Sequence, residues 1–272
     1  MIDHAEVYAQ KWQLKEISYE GETTCSNFYS CRSEEFGPAL LKILNSNGLI
    51  TERGGFALLA RYNSNSAVRI YEHDETAALM QWLDGPRLLD IIDQGHEEDA
   101  LNIQLEITGQ LLKSQVSLTG LKTLEHLMAD SLNMKPKAVP VWAQDVVPIA
   151  QAIAHDVMAN RTDWQALHGD LHPRNIIKHR ATWRAIDARG LLGPPALEYA
   201  NLFINPWDRK ELIFKHGRME ELARRVSIHL GCDVREVVSC AITNALFYAQ
   251  SSFLIGQGRH PIKCIRQLLT IL

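Results

Sequence analysis

Asp170, Asn175 and Asp187 are residues whose types and spacing could do chemistry together. They stand in two short runs, Leu167-His168-Gly169-Asp170-Leu171-His172-Pro173-Arg174-Asn175-Ile176-Ile177 and Ala185-Ile186-Asp187-Ala188-Arg189-Gly190. One carboxylate can orient or deprotonate an acceptor hydroxyl. An amide oxygen and a second carboxylate, both hard ligands, can hold Mg²⁺ against nucleotide phosphates; phosphoryl transfer needs this set. Gly169 permits a tight turn beside the base. The same segment admits two other readings. His168, Asp170 and His172 alternate as on one face of a strand, and imidazole with carboxylate suits zinc or iron, the site of a metal-dependent hydrolase. A buried polar network without chemistry is the third.

His168 to Asn175 followed by Ile186-Asp187 resembles the catalytic segment of the aminoglycoside phosphotransferases, relatives of the protein kinases in which His-Gly-Asp replaces His-Arg-Asp. The continuation from Gly190 to Asp208 is similar to the streptomycin 6-phosphotransferase and hydroxyurea phosphotransferase branch. The resemblance implies an α+β, protein-kinase-like fold of two lobes, a strand-rich nucleotide lobe over 1–83 and a mainly helical lobe over 84–272. It implies Asp170 as base, Asn175 and Asp187 as Mg²⁺ ligands, and ATP, with GTP an alternative, as phosphoryl donor. The acceptor it implies is a small, cationic, hydroxyl-rich molecule. A kinase-like module that binds nucleotide without turnover would keep the same fold.

The elements that must position these residues begin with strands. Trp12 to Tyr19 and Asn27 to Arg32 interleave aromatic and polar residues, and Gly21 to Asn27 turns between them. Ala39 to Leu44 is an apolar run interrupted by Lys42 alone. On a strand Leu41 and Ile43 face away from Lys42, so its ammonium either snorkels to an edge or points into a cleft at a phosphate. Glu52 opens a helix candidate running to Arg61, and a lysine on a third strand meeting a glutamate on the next helix is the kinase pairing. The turn has Gly21 as its single glycine and no phosphate-binding glycine motif occurs, which excludes a Walker-type ATPase; Thr23, Thr24 and Ser26 are the donors on offer. Val68 to Tyr71 and Ala77 to Leu83 are further strands, and Asp84-Gly85-Pro86 breaks the pattern. By resemblance Gln81, Trp82 and Leu83 form the hinge that meets the nucleotide base.

After Pro86 the period changes to that of helices. Leu101, Leu105, Thr108, Leu112 and Val116 share one face, and Val146, Ile149, Ala150, Ile153 and Val157 another. Ile176 to Lys178 and Arg184 to Ile186 form a hairpin carrying Asn175 and Asp187 at its ends. Met219 to Leu230 is a helix closed by Gly231, Val234 to Tyr248 is the next, and Pro261 opens the last. Glu198 is expected to anchor the catalytic loop to the helices. The acids Asp84, Asp90, Asp93, Glu97, Glu98, Asp99 and Glu106, set against Arg87, are expected to attract a cationic acceptor or to favour a helix N-terminus.

With 272 residues, 46% of them hydrophobic, the chain can bury a large core and is expected to fold. A net charge of −4 without a basic run disfavours nucleic acid. Five scattered cysteines without a C-x-x-C pair fit reduced thiols. The absence of an apolar leader or an 18-residue apolar span points to the cytoplasm and to no membrane partner.

Overall fold

The structure, a computed structural model, describes residues 4–62, 66–114, 117–253, 256 and 258–272. Leu14–Glu22 (β1), Ser26–Ser33 (β2), Gly37–Leu44 (β3), Ile70–His73 (β4) and Ala77–Gln81 (β5) form one antiparallel sheet in the order β1-β2-β3-β5-β4. The two-residue period of a strand sorts β3 between two cores. Ala39, Leu41 and Ile43 pack under helix His4–Lys11 (α1) with Ala5, Tyr8 and Leu14. Leu40 and Leu44 face the other way, with Ala78 and Met80 of β5, onto Phe56, Leu58 and Leu59.

The predicted helix from Glu52 to Arg61 is two helices, Ser46–Thr51 (α2) and Gly55–Arg61 (α3), and Glu52 follows the first instead of opening the second. Asn45 starts α2 early by accepting from the amides of Asn47 and Gly48 at 2.9 and 3.1 Å. This is an N-cap written in the sequence. Of the proposed phosphate donors, Thr23 spends its hydroxyl on the amides of Cys25 and Ser26, and Ser26 is fully buried.

The rest of the chain is mainly helical. Leu88–Asp93 (α4) and Glu97–Lys113 (α5) lead to Lys122–Thr123 (β6), Leu124–Leu132 (α6) and Val147–Ala159 (α7). The predicted faces hold in α5, where Leu105, Thr108 and Leu112 are buried, while Val116 lies outside the described residues. In α7 the stripe is displaced: Val147, Ala150, Ala154 and Met158 are buried and Ile149 is exposed. Gln165–Leu167 (β7) precedes the catalytic segment. The hairpin Ile176–His179 (β8) and Thr182–Ala185 (β9) follows, and then Leu191–Gly193 (β10), which pairs with β6 and β7.

A 3-10 segment, Pro195–Phe203, leads into Lys210–Ile213 (α8), Arg218–Leu230 (α9), Val234–Phe253 (α10) and Arg259–Leu269 (α11). Gly231 ends α9 in the left-handed conformation at φ 75°, its amide on the Ser227 carbonyl. Helix α10 runs through the main core, burying Val237, Ala241, Ala245, Leu246 and Ala249. All five cysteines are free thiols. Among the described residues, no helix is long and apolar enough to cross a membrane.

Candidate functional site

Lys42 reaches the site because β3 alternates. Its side chain is 2% exposed, and its ammonium lies 2.6 Å from Glu52 Oε2 and 3.1 Å from Asp187 Oδ1. The rings of Phe28 and Phe56 stand 5.6 and 5.8 Å from the Nζ. Burial by itself would make this lysine easier to deprotonate, but the two carboxylates outweigh it and hold the pKa up at about 12, so the ammonium persists. The glutamate arrives from the turn after α2, not from a helix start, and the pairing forms all the same.

Asp187 stands two residues beyond β9 with φ at 60°, a left-handed backbone that a non-glycine residue adopts at some cost. The hairpin fixes it: Ile176 pairs with Ala185, and the Ile186 amide donates to the Asn175 carbonyl at 2.9 Å. Asn175 is buried, and its Nδ2 donates to the Asp170 carbonyl at 3.0 Å, which leaves Oδ1 as the free acceptor end of the amide. Asp187 Oδ2 likewise has no protein partner among the described residues. The strand-distant Ser66 and Val68 bond to Ala185 on both sides, tying the sheet lobe to this hairpin.

Asp170 follows Gly169, whose φ of 76° favours glycine, with the Leu191 side chain packed against the open face. The Gly169 amide donates to Glu198 Oε2 at 3.1 Å, so Glu198 anchors the loop as the sequence suggested. Buried at 2% exposure, that carboxyl is pushed up to about 8. His168 is fully buried and uses both ring nitrogens on backbone: Nδ1 accepts from the Asp170 amide, which sets Nε2–H toward the Ile186 carbonyl at 2.8 Å. Burial lowers its pKa to about 4, so it is a neutral brace. Among the described residues, no three His, Cys, Asp or Glu side chains are placed to hold a metal, which removes the hydrolase reading of His168, Asp170 and His172.

Two residues meet Asp170 whose contacts the sequence does not show. Arg189 Nη2 lies 3.3 Å from Asp170 Oδ1, and the Tyr248 hydroxyl donates to the same oxygen at 2.7 Å. Burial would raise the Asp170 pKa, but the Arg189 guanidinium, with His172 and the Tyr248 hydroxyl, carries it below the usual carboxylate value. Tyr248 gave no signal at all, because only the folding of α10 across the catalytic loop brings it there.

Gln81 ends β5, and Trp82 and Leu83 follow in the connection to α4 with no backbone partner among the described residues. The acidic stretch is another matter. Asp93 receives two bonds from Arg209 at 2.7 and 2.8 Å, Glu98 one from Arg225 at 2.6 Å, and Asp90 accepts from the Arg87 amide at the start of α4. Glu97, Glu98 and Asp99 fill the first turn of α5. Arginines distant in sequence neutralise two of these acids, Asp93 and Glu98.

A cleft of about 1490 Å³ opens between α2–α3 and the α6 and α10 helices, lined by Thr24, Arg53, Asp130, Arg189, Phe247 and Gln250 among others.

Residues 11–252 match the family model described as aminoglycoside/hydroxyurea antibiotic resistance kinase. A streptomycin 3''-kinase from Klebsiella pneumoniae is 27% identical over 212 residues, 72% of this chain and 71% of that protein. A thermostable mutant of aminoglycoside phosphotransferase APH(4)-Ia, solved with ADP and hygromycin B, superposes with a TM-score of 0.66 at 14% identity over 98% of this chain and 96% of that one. The streptomycin–ATP–APH(2")-IIa complex gives 0.57 at 13% identity, with 99% and 97% covered. With Lys42 in contact with Glu52 and Asp187, Asn175 bonded to Asp170, and the family match spanning most of its length, the chain belongs to the aminoglycoside/hydroxyurea antibiotic resistance kinases, phosphotransferases that act on hydroxyl groups.

Proposed function

We propose that this chain transfers the γ-phosphoryl group of ATP to a hydroxyl of a cationic aminocyclitol of the streptomycin class. The observation that carries the reading is the contact of Lys42 with both Glu52 and Asp187, which joins the sheet lobe to the catalytic hairpin at one point. In this reading residues 1–83 hold the nucleotide and 84–272 carry the catalytic loop and acceptor site. The backbone of Trp82 and Leu83, after Gln81, has no backbone partner among the described residues, which supports a hinge that meets the purine edge. Lys42 binds the inner phosphates and Glu52 keeps its ammonium aimed.

The free oxygens of Asn175 and Asp187 are a hard donor pair that suits Mg²⁺. When bound, the ion would neutralise phosphate charge. Asp170 accepts the proton of the acceptor hydroxyl, and the depressed pKa keeps it ionised at neutral pH. The cleft beside Arg189 is large enough for a trisaccharide-sized acceptor. Asp130, exposed on its α6 wall, has no ion-pair partner among the described residues and suits a guanidinium.

ADP release by the purified protein tests the reading, with streptomycin, hygromycin B, hydroxyurea and neutral alcohols as acceptors. Streptomycin-dependent release, lost by at least about 10²-fold in Asp170→Asn or about 2.7 kcal/mol of barrier, is expected. Release stimulated by a neutral alcohol and by no aminocyclitol would discard the substrate class. NMR of the product identifies the hydroxyl.

A further inference from the structure

Helix α10 crosses the catalytic loop, and Tyr248 is where it touches the base. The Tyr248 hydroxyl donates to Asp170 Oδ1 at 2.7 Å and accepts from Arg189 Nη2 at 3.2 Å, while Arg189 Nη2 is also 3.3 Å from the same carboxylate oxygen. The three groups close a triangle on Oδ1. Asp170 Oδ2 has no protein partner among the described residues, and the side chain keeps 20% exposure. A carboxylate with one oxygen held by two donors cannot rotate freely about its terminal torsion, so the other oxygen has a set direction.

We infer that Tyr248 is a positioning residue for phosphoryl transfer: with Arg189 it pins Oδ1 of Asp170 and presents Oδ2 to the acceptor hydroxyl. The inference rests on Asp170 being the base. The chemistry is asymmetric in the right way. The phenol stays protonated, because burial and the neighbouring carboxylate raise its pKa, so it donates to Asp170 at any pH at which an enzyme works. The guanidinium stays charged, stacked over the rings of Phe247 at 4.9 Å and Tyr248 at 5.5 Å. Loss of the phenol therefore leaves Oδ1 with one donor and Oδ2 without a fixed aim.

The other groups facing Asp170 are His168 and His172 on the catalytic loop and Glu198 on the 3-10 segment, with Asp187 and Lys42 beyond them. None of them donates to Oδ1, so none can replace the phenol. A merely structural tyrosine would fill space with its ring and satisfy its hydroxyl wherever an acceptor stood. Here the ring belongs to a helix held by its own core, and Phe in the same place would keep the packing.

The test compares Tyr248→Phe, Asp170→Asn and Arg189→Lys with the parent in ADP release, as kcat and KM for both substrates, alongside nucleotide binding and thermal unfolding. Tyr248→Phe is expected to unfold with the parent, to bind ATP with the parental affinity, to lose about 10-fold or more in kcat, and to keep the parental KM for the acceptor. Arg189→Lys keeps a charge but loses the planar guanidinium, and its loss should not add to that of Tyr248→Phe in the double variant. A Tyr248→Phe protein with parental kcat overturns the inference. Lowered kcat that comes with a matching loss of thermal stability or of ATP affinity does so too. If Asp170→Asn itself retains turnover, the base assignment fails instead, and the two failures are told apart by that variant.

Discussion

A Cβ added to Gly55 would stand 1.7 Å from the carbonyl oxygen of Ala188, the residue after Asp187. Gly54 and Gly190 interlock beside it, with 2.5 Å between an added Gly190 Cβ and Gly54. The paired glycines that weaken a helix at Gly54–Gly55 let the start of α3 lie directly against the segment that carries the proposed metal ligand. Gly55→Ala is therefore expected to force the two backbones apart. We expect a loss of stability of about 1–3 kcal/mol. Nucleotide affinity should fall with it, measured by urea unfolding and ATP titration. A variant as stable and as tight as the parent would show that this contact does not position Asp187.

The Lys42 cluster separates binding from folding. Removing a buried cation usually leaves its partner charges stranded, but Glu52 and Asp187 keep 17% and 26% side-chain exposure. Lys42→Met should fold and raise the KM for ATP by at least about 10-fold, since a charge-assisted phosphate contact of about 1.4 kcal/mol or more is lost. Asp187→Asn tolerates the left-handed backbone. It should bind ATP equally with and without Mg²⁺, whereas the parent binds more tightly with the ion. Calorimetric titration reads both, and an Asn variant with undiminished Mg²⁺ dependence would move the metal elsewhere.

Glu198 gives stability a pH dependence with a definite sign. Its folded pKa, raised by burial to about 8, lies above its unfolded value of about 4.3. The native state holds the proton more tightly than the unfolded chain, so the stabilisation is complete below the unfolded pKa and is lost as pH rises through the folded one. His168 acts in the opposite sense at lower pH: its folded value of about 4 makes its contribution complete above about 6.5 and lost as pH falls through 4. Between pH 6.5 and 8 the slope belongs to Glu198. Glu198→Gln should be relatively more stable at pH 8 than at pH 5 when compared with the parent by chemical unfolding, and equal differences at both would refute the buried proton.

Asp93 should matter little to acceptor binding. Arg209 already holds both of its oxygens. Asp93→Asn is expected to change the KM for a cationic acceptor by less than about 2-fold, whereas Asp130→Asn should raise it by about 10-fold, the loss of a charge-assisted bond. The reverse order would return the acceptor to the α4–α5 surface.

The sequence by itself determined the pieces that are local. His168 to Asn175 and Asp187, the hairpin between them, Lys42 on an alternating strand and Gly231 at the end of α9 follow from residue type, period and turn chemistry over a few neighbours. The family resemblance rested on the same short stretches. Tertiary structure decided whatever depends on a partner far along the chain. Arginines at 209 and 225 neutralise acids at 93 and 98. Glu52 meets Lys42 from a turn instead of a helix start, because Asn45 and the Gly54–Gly55 pair moved the helix boundaries. Tyr248 reaches Asp170 across 78 residues. Charge and hydrogen bonding act through space over a few ångströms, and no local pattern along a chain records which distant donor the fold will bring within that reach.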